Sequence, residues 1–120
     1  MMVNKKTIED LKIVEKSWGY ESIFVNNGLY CGKILTCFKN KWSSEGKFHY
    51  HKKKDESFIG LEGKILLQIK EDGKTEFITI FPKEVVRILP GTKHRFMALT
   101  EKSKFIEVST QHIDIDSYYD

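Results

Sequence analysis

The sequence predicts an all-β domain, and three observations support that fold class. Short runs rich in Ile, Val, Phe and Thr succeed one another through most of the chain. Turn signals separate these runs, among them Asn26-Asn27-Gly28 and Asp72-Gly73, where Asn and Gly tolerate positive φ. About eight to ten strands at spacings of roughly 8–12 residues are typical of a β-sandwich or barrel.

The N-terminal segment is the one part of the chain with helical spacing. Residues 6–16, KTIEDLKIVEK, place Ile8, Leu11 and Val14 on one side of a helix, so we expect a short helical or irregular segment there. After this segment, β-strands are predicted in the runs YESIFVNNGLYCGKILTCF, GKILLQIKEDGKTEFITIF, VVRIL, HRFMAL and KFIEVS. Their alternation predicts an apolar interior formed by Ile65, Leu67, Ile69, Ile78, Ile80, Ile88 and Phe96.

Length and composition narrow the class of protein. The chain has 120 residues, 40% of them apolar and 31% charged, which predicts one soluble domain over residues 1–120. Its net charge of +3 is too small and too scattered to indicate nucleic-acid binding. No apolar run approaches the ~20 residues of a membrane helix, and the charged N-terminus lacks the apolar core of a signal peptide. With only Cys31 and Cys37 as cysteines, the composition indicates reduced thiols and a cytoplasmic protein.

The run FHYHKKKDESFIGLEG has the pattern of a metal site. If FHYH is a strand, His49 and His51 point to the same face and Tyr50 to the other. Glu56 begins the next run after a turn of three lysines, Lys52 to Lys54, which we expect to be exposed. An antiparallel return would lay Glu56 beside the two imidazoles, where its carboxylate could be a third ligand.

A fourth ligand should come from another strand. His94 follows the turn Pro90-Gly91 in RILPGTKHRF, which would fix where its strand begins. Only His112 is then left outside the constellation. The alternative is that the two neighbouring histidines are surface residues that flank a solvated lysine loop.

These residues resemble the two motifs of the cupin superfamily. HYHKKKDESFIGLEG is similar to the first motif: His-x-His, a short spacer, Glu, six further residues and Gly63. In that first motif Gly46 departs from the pattern, because it lies closer to the first histidine than the leading glycine should. LPGTKH is similar to the second motif, although the asparagine usual after the histidine is missing. The resemblance covers about residues 18–110. It implies a double-stranded β-helix, a form of jelly roll, with one divalent metal ion (zinc, manganese, iron or nickel) held by His49, His51, Glu56 and His94.

A weaker resemblance concerns activity. SWGYE, PGTKHRF and IEVST are similar to segments of the mannose-6-phosphate isomerase-type cupins. This implies a metal-dependent enzyme for a small sugar or sugar phosphate, or another oxygen-rich anion, with aldose–ketose isomerisation as the reaction. Two other classes stay open: an iron-dependent cupin dioxygenase, and a non-catalytic cupin that binds a metal or sugar.

An isomerase also needs a base that moves a proton between adjacent carbons. Glu107 is the first candidate, because on an alternating strand it shares a face with Phe105. The alternative for this residue is an ordinary exposed glutamate on an edge strand. Tyr30 and Lys33, on an earlier strand, are the other candidates for a catalytic role.

Cationic side chains predict how substrate would be held. Arg95, Lys93 and Arg87, together with Lys33, could line the mouth of the barrel. Strand alternation, however, points Arg95 and His94 to opposite faces. Small cupins commonly pair through edge strands, so we also expect a homodimer, with the early strands and the DSYY tail as candidate contacts.

Overall fold

The structure, a computed structural model, describes residues 2–120. Within them lie three 3₁₀ helices of at most four residues, at Ile8–Asp10, Ser43–Gly46 and Asp114–Asp116. None of the helices in this part of the chain is long and apolar enough to cross a membrane. The strands are β1 (Lys12–Lys16), β2 (Gly19–Asn26), β3 (Cys31–Cys37), β4 (His49–Tyr50), β5 (Glu56–Glu62), β6 (Ile65–Glu71), β7 (Lys74–Ile80), β8 (Val85–Ile88), β9 (Lys93–Ala98), β10 (Ser103–Ser109) and β11 (Tyr118–Tyr119).

Two sheets, antiparallel throughout, make up the fold. One has six strands in the order β1-β2-β3-β10-β5-β8, and the other has five in the order β11-β4-β9-β6-β7. The chain crosses between the sheets at β3 to β4, β4 to β5, β5 to β6, β7 to β8, β8 to β9, β9 to β10 and β10 to β11, as a jelly roll requires. The all-β prediction is therefore confirmed.

The N-terminal segment differs in part from its prediction. A single 3₁₀ turn forms at Ile8–Asp10, where Thr7 and Asp10 cap each other. Helical structure does not continue, because Lys12–Lys16 pairs antiparallel with β2 as the edge strand of the six-stranded sheet. An available sheet edge satisfies the backbone of these residues, and tertiary pairing outweighs a helical pattern of only three apolar residues.

The core between the sheets agrees with the predicted interior. Ile65, Leu67, Ile80, Ile88 and Phe96 are buried, and Ile69 and Ile78 are partly buried against them. The other buried apolar members of the cluster are Trp18, Leu35, Cys37, Phe58, Ala98 and Phe105. Aromatic rings pack against one another in the core, tilted for Phe58 and Phe105 with centroids 4.7 Å apart, and edge-to-face for Trp18 and Phe96 at 5.0 Å. Phe58 also lies 6.4 Å from the ring of His94, so this apolar cluster supports the polar site directly.

The C-terminal segment docks on the chain's own five-stranded sheet. β11 pairs with β4, and Tyr118 stacks on Tyr50 with ring centroids 5.3 Å apart. The carboxylate of Asp120 lies 3.0 Å from Lys93 Nζ. The pairing of β11 with β4 completes the sheet beside His49 and His51. The homodimer stays a prediction.

Candidate functional site

Strand pairing brings the predicted ligands together. His49 and His94 are directly opposite in the antiparallel pair of β4 and β9, and their ring centroids are 4.1 Å apart. Glu56 opens β5 in the other sheet and faces this pair across the interior. Its Oε2 lies 3.6 Å from His51 Nε2 and 3.5 Å from His94 Nε2. We call these four residues the histidine–glutamate cluster.

The cluster converges without closing to coordination geometry. Between residues 2 and 120, no group of three or more His, Cys, Asp or Glu side chains has the arrangement of a formed metal site. The four-ligand assignment therefore stays a prediction.

Hydrogen bonding nevertheless leaves the cluster fit for a cation. His51 Nδ1 lies 2.8 Å from the main-chain oxygen of Asp116, and His94 Nδ1 lies 2.9 Å from that of Thr92. A carbonyl oxygen only accepts, so Nδ1 carries the hydrogen in both rings and each Nε2 keeps a lone pair. Such partners fix the tautomer of metal-binding histidines. His94 Nε2 is buried without any hydrogen-bond partner, which is costly unless something else satisfies it.

The pKa values of the cluster residues also favour the binding of a cation. Burial lowers the pKa of His94 to about 4, and burial together with His94 lowers that of His49 well below its usual value. Both imidazoles are therefore neutral near pH 7, which is the form that binds metals. Burial, and then the charge of Glu107, raises the pKa of Glu56 to about 8. A cation at this point would offset the cost of a buried Glu56 carboxylate.

Glu107 occupies the interior, close to the cluster. Its strand β10 lies between β3 and β5, so the alternative of an exposed glutamate on an edge strand is wrong. Only 4% of Glu107 is exposed, and its Oε2 lies 2.7 Å from Lys54 Nζ. Burial raises the pKa of Glu107, but the ammonium groups of Lys54 and Lys33 outweigh it, so the pKa is lowered and the group is a carboxylate at neutral pH.

Lys54 corrects the prediction of an exposed lysine turn. Lys52 and Lys53 are exposed as expected, whereas Lys54 is only 3% exposed and turns its Nζ inward to Glu107. Burial lowers the pKa of Lys54, but Glu107 and then Glu56 raise it further, so the amine is an ammonium ion. No periodicity in KKKD marks the third lysine as different from the first two.

His112 lies outside the four predicted ligands but lines the same cavity. Its Nδ1 is 3.2 Å from Lys54 Nζ, and its Nε2 is 2.9 Å from Asp114 Oδ1. The ring centroid lies 6.2 Å from that of His51. The side chain of Asn26 holds the backbone of His112 through two hydrogen bonds of 3.0 and 3.1 Å. The contacts with Lys54 and Asn26 join residues 58 and 86 positions apart in the chain, so no local pattern could have indicated them.

The two other catalytic candidates lie in different environments. Lys33, on β3, is 3% exposed and its Nζ lies 3.4 Å from Glu21 Oε1, at the cavity. Tyr30 precedes the same strand, is 53% exposed and does not line the cavity. The structure thus brings Lys33, but not Tyr30, to Glu107.

Arg95 points away from the histidine beside it. It donates hydrogen bonds to Gln68 Oε1 at 2.7 Å and to the main-chain oxygen of Gly46 at 2.6 Å. Its guanidinium lies over the rings of Trp42 and Phe48, 4.1 and 4.8 Å from their centroids. Arg95 therefore packs on the outer face, as strand alternation indicated. It does not line the cavity, where a substrate-binding residue would be expected.

Lys93 and Arg87, the other predicted substrate residues, are likewise not brought to the cavity. Lys93 pairs with Asp120 at 3.0 Å, and its Nζ lies 5.7 Å from the ring centroid of Tyr50. Arg87 makes two hydrogen bonds to the carboxylate of Asp55, at 2.6 and 3.1 Å, with 62% of its side chain exposed.

A cavity of about 340 Å³ joins the histidine–glutamate cluster to Glu107. Its polar walls come from both sheets, from the 3₁₀ helix Ser43–Gly46 and from the C-terminal segment: Lys16, Glu21, Lys33, Ser43, Ser44, His49, His51, Lys54, Glu56, Glu107, His112, Asp114, Ser117 and Tyr119. Trp18, Leu35, Phe58 and Phe96 form its apolar floor. The volume lies at the small end of ligand pockets, which suits a molecule of about monosaccharide size.

Known proteins share this architecture at low sequence identity. No family model matches the chain, and no curated protein matches it. Oxalate decarboxylase from Bacillus subtilis superposes with a TM-score of 0.80 and 15% identity, over 95% of this chain and 31% of that one. CapF, solved with the inhibitor 3-isopropenyl-tropolone, gives 0.79 and 19% identity, over 91% of this chain and 34% of the other.

These similarities are similarities of fold. The chain spans about a third of the length of the two solved proteins. The cupin jelly roll predicted from the two sequence motifs is confirmed. Likeness to the mannose-6-phosphate isomerase-type cupins stays a prediction.

Proposed function

We propose that this protein is a metal-dependent cupin enzyme that isomerises a small sugar or sugar phosphate between its aldose and ketose forms. One observation carries the proposal. The buried ion pair of Glu107 and Lys54 opens into the same cavity as the histidine–glutamate cluster. A buried carboxylate and ammonium beside a set of metal-binding side chains is an arrangement suited to proton transfer next to a carbonyl.

The histidine–glutamate cluster is the proposed place of a single divalent ion. His49, His51, Glu56 and His94 would hold it, with the lone pairs of His51 Nε2 and His94 Nε2 directed towards Glu56. When bound, such an ion supplies Lewis-acid polarisation of the hydroxyl and carbonyl oxygens of the substrate. Zinc, manganese, iron and nickel all suit imidazole and carboxylate ligands.

Glu107 is the proposed base. Its carboxylate takes the proton from the carbon that bears the hydroxyl group and returns it to the neighbouring carbonyl carbon. The hydroxyl hydrogen passes to the former carbonyl oxygen, so the product is an isomer of the substrate. The Lys54 ammonium at 2.7 Å keeps Glu107 ionised before the transfer and stabilises negative charge on the substrate oxygens during it.

The walls of the cavity support a small polar substrate. Lys33 and Lys54 offer ammonium donors to hydroxyl or phosphate oxygens; Lys33 is held by the partly buried Glu21 and Lys54 by the buried Glu107. Apolar side chains on the remaining part of the lining, among them Trp18, Phe58 and Phe96, would reduce the water around the reacting carbons and so strengthen electrostatic interactions there.

Deuterium incorporation tests the reaction. Protein purified without a histidine tag is stripped of metal and loaded with zinc, manganese, ferrous iron or nickel. Each form is incubated in deuterated water with mannose 6-phosphate, fructose 6-phosphate or free pentoses and hexoses. We expect deuterium at the carbon next to the carbonyl in at least one substrate. No exchange with any sugar, together with oxygen consumption by the ferrous form and a small organic acid, would assign the protein to the dioxygenase class.

The variant Glu107→Gln tests the base. It should lower turnover by roughly 10²–10⁴-fold with metal content unchanged, because the amide keeps the shape but cannot take the proton. Glu76→Gln is the matched control, since Glu76 is an exposed glutamate on β7. Full turnover in Glu107→Gln would contradict the assignment.

A further inference from the structure

We propose that Asp116 is a positioning residue for this site, a role that rests on the proposed function. Its carboxylate shapes the Lys52–Lys54 turn so that Lys54 enters the cavity, and its main-chain oxygen fixes the His51 ring. One residue of the C-terminal segment thereby connects the proposed base with the histidine–glutamate cluster.

The carboxylate of Asp116 receives three successive backbone N–H groups. Lys52 N donates to Oδ1 at 3.0 Å, and Lys54 N donates to Oδ2 at 3.1 Å. Lys53 N lies between them, 3.3 Å from Oδ1 and 3.2 Å from Oδ2. Asp116 itself is 8% exposed, and its carboxylate makes these hydrogen bonds charge-assisted. A turn tied at three consecutive amides has one conformation.

That conformation explains why the three lysines behave differently. The turn connects β4 in one sheet with β5 in the other, so the chain must bend inward at its end. Lys52 and Lys53 leave the bend on the solvent side, whereas Lys54 leaves it on the cavity side. The Lys54 ammonium then reaches Glu107 at 2.7 Å. Without the carboxylate at the centre of the turn, nothing in KKKD selects this direction.

The main-chain oxygen of the same residue controls His51. It lies 2.8 Å from His51 Nδ1, in a buried contact. This places the hydrogen on Nδ1 and leaves the Nε2 lone pair facing Glu56, 3.6 Å away. Because the carboxylate anchors residue 116 to the turn, loss of its charge should also loosen this carbonyl.

The variant Asp116→Asn tests the inference, with Asp116→Glu as the conservative rescue. An amide has one acceptor oxygen, so it cannot receive all three N–H groups. Asp120→Asn is the matched control, because Asp120 lies on the same C-terminal segment but outside the cavity, where its carboxylate pairs with Lys70 and Lys93. Three properties are measured on each protein: acetylation of each lysine of the turn by acetic anhydride, the ¹⁵N shifts of the His51 ring without metal, and Zn²⁺ affinity by calorimetry.

In the parent protein, Lys54 should be acetylated far more slowly than Lys53, and His51 should show a single tautomer protonated on Nδ1. Asp116→Asn should raise the acetylation of Lys54 to the level of Lys53, produce mixed tautomers at His51 and weaken Zn²⁺ binding about 10–100-fold. Asp116→Glu should recover part of each effect, and the control should match the parent.

Two results would overturn the inference. One is a folded Asp116→Asn variant in which Lys54 stays protected and His51 keeps one tautomer. A lower melting temperature in that variant would not support the inference, because the loss of a merely structural contact would also lower it. The other needs no variant: amide hydrogens of Lys52, Lys53 and Lys54 in the parent that exchange as fast as those of an open loop. A parent that binds none of zinc, manganese, iron and nickel while Lys54 and His51 still respond to Asp116→Asn would contradict the proposed function and support the positioning role.

Discussion

His94 Nε2 and Glu56 Oε2 face each other 3.5 Å apart, across the gap between the two sheets. The imidazole nitrogen has no hydrogen-bond partner, and burial keeps the ring neutral near pH 7 by lowering its pKa to about 4. A fully buried nitrogen lone pair beside a buried carboxyl group is a costly arrangement for a protein that uses neither. In a protein in which both groups bind one cation, the cation would compensate for the burial of both groups.

Lys54→Met should change the pH dependence of the reaction. Burial raises the pKa of Glu107 while Lys54 and Lys33 lower it, so removing the Lys54 charge leaves burial with less opposition. The pKa of Glu107 should therefore rise, and the acid limb of the kcat/KM profile should move to higher pH with it. Lys53→Met, an exposed neighbour, is the control. An acid limb that stays in place would show that Lys54 does not set the ionisation of the base.

Phe105→Ala should destabilise the fold strongly. Phe105 is completely buried and packs between Phe58 and Phe96, with ring centroids 4.7 and 5.1 Å away. Truncation should lower the free energy of unfolding by about 3–5 kcal/mol, because it leaves a cavity in the core. Phe77→Ala should cost much less, since Phe77 is 61% exposed on β7. Urea unfolding of both variants measures the difference, and equal losses would contradict the described core.

Both cysteines should be unreactive in the folded protein. Cys31 and Cys37 are free and 1% exposed, and burial raises the pKa of each thiol. The reactive thiolate is therefore scarce and shielded. Ellman's reagent should detect two thiols per chain after unfolding in urea and essentially none before it. Rapid labelling of the native protein would contradict the burial of the strand β3 that carries both.

The fold could be predicted from the sequence because its signals are local. Alternation placed Ile65, Leu67 and Ile80 in the core, and the structure buries all three. The same alternation correctly separated His94 from Arg95, whose side chain packs on the outer face instead. The N-terminal prediction failed at Lys12–Lys16 because the free edge of β2, and not the local pattern, decides the structure there.

The candidate site could be predicted only where a motif encodes it. His49, His51 and Glu56 lie close together in sequence, so strand geometry alone brings them together. The burial of Lys54 depends on Asp116, which is 62 residues away in the chain. Likewise, His112 reaches the cavity because Asn26, 86 residues away, holds its backbone. Contacts of this range leave no periodic signal.

The metal content of untagged protein tests the central claim most directly. After loading and removal of excess metal, the parent should retain one divalent ion per chain by elemental analysis. His94→Ala should retain none while keeping a β-type circular dichroism spectrum, because the jelly-roll core closes without the ion. His112→Ala should retain the ion, since His112 contacts Lys54 and Asp114 and lies outside the histidine–glutamate cluster. A parent without stoichiometric metal, or a His94→Ala variant that binds it as tightly as the parent, would contradict the account.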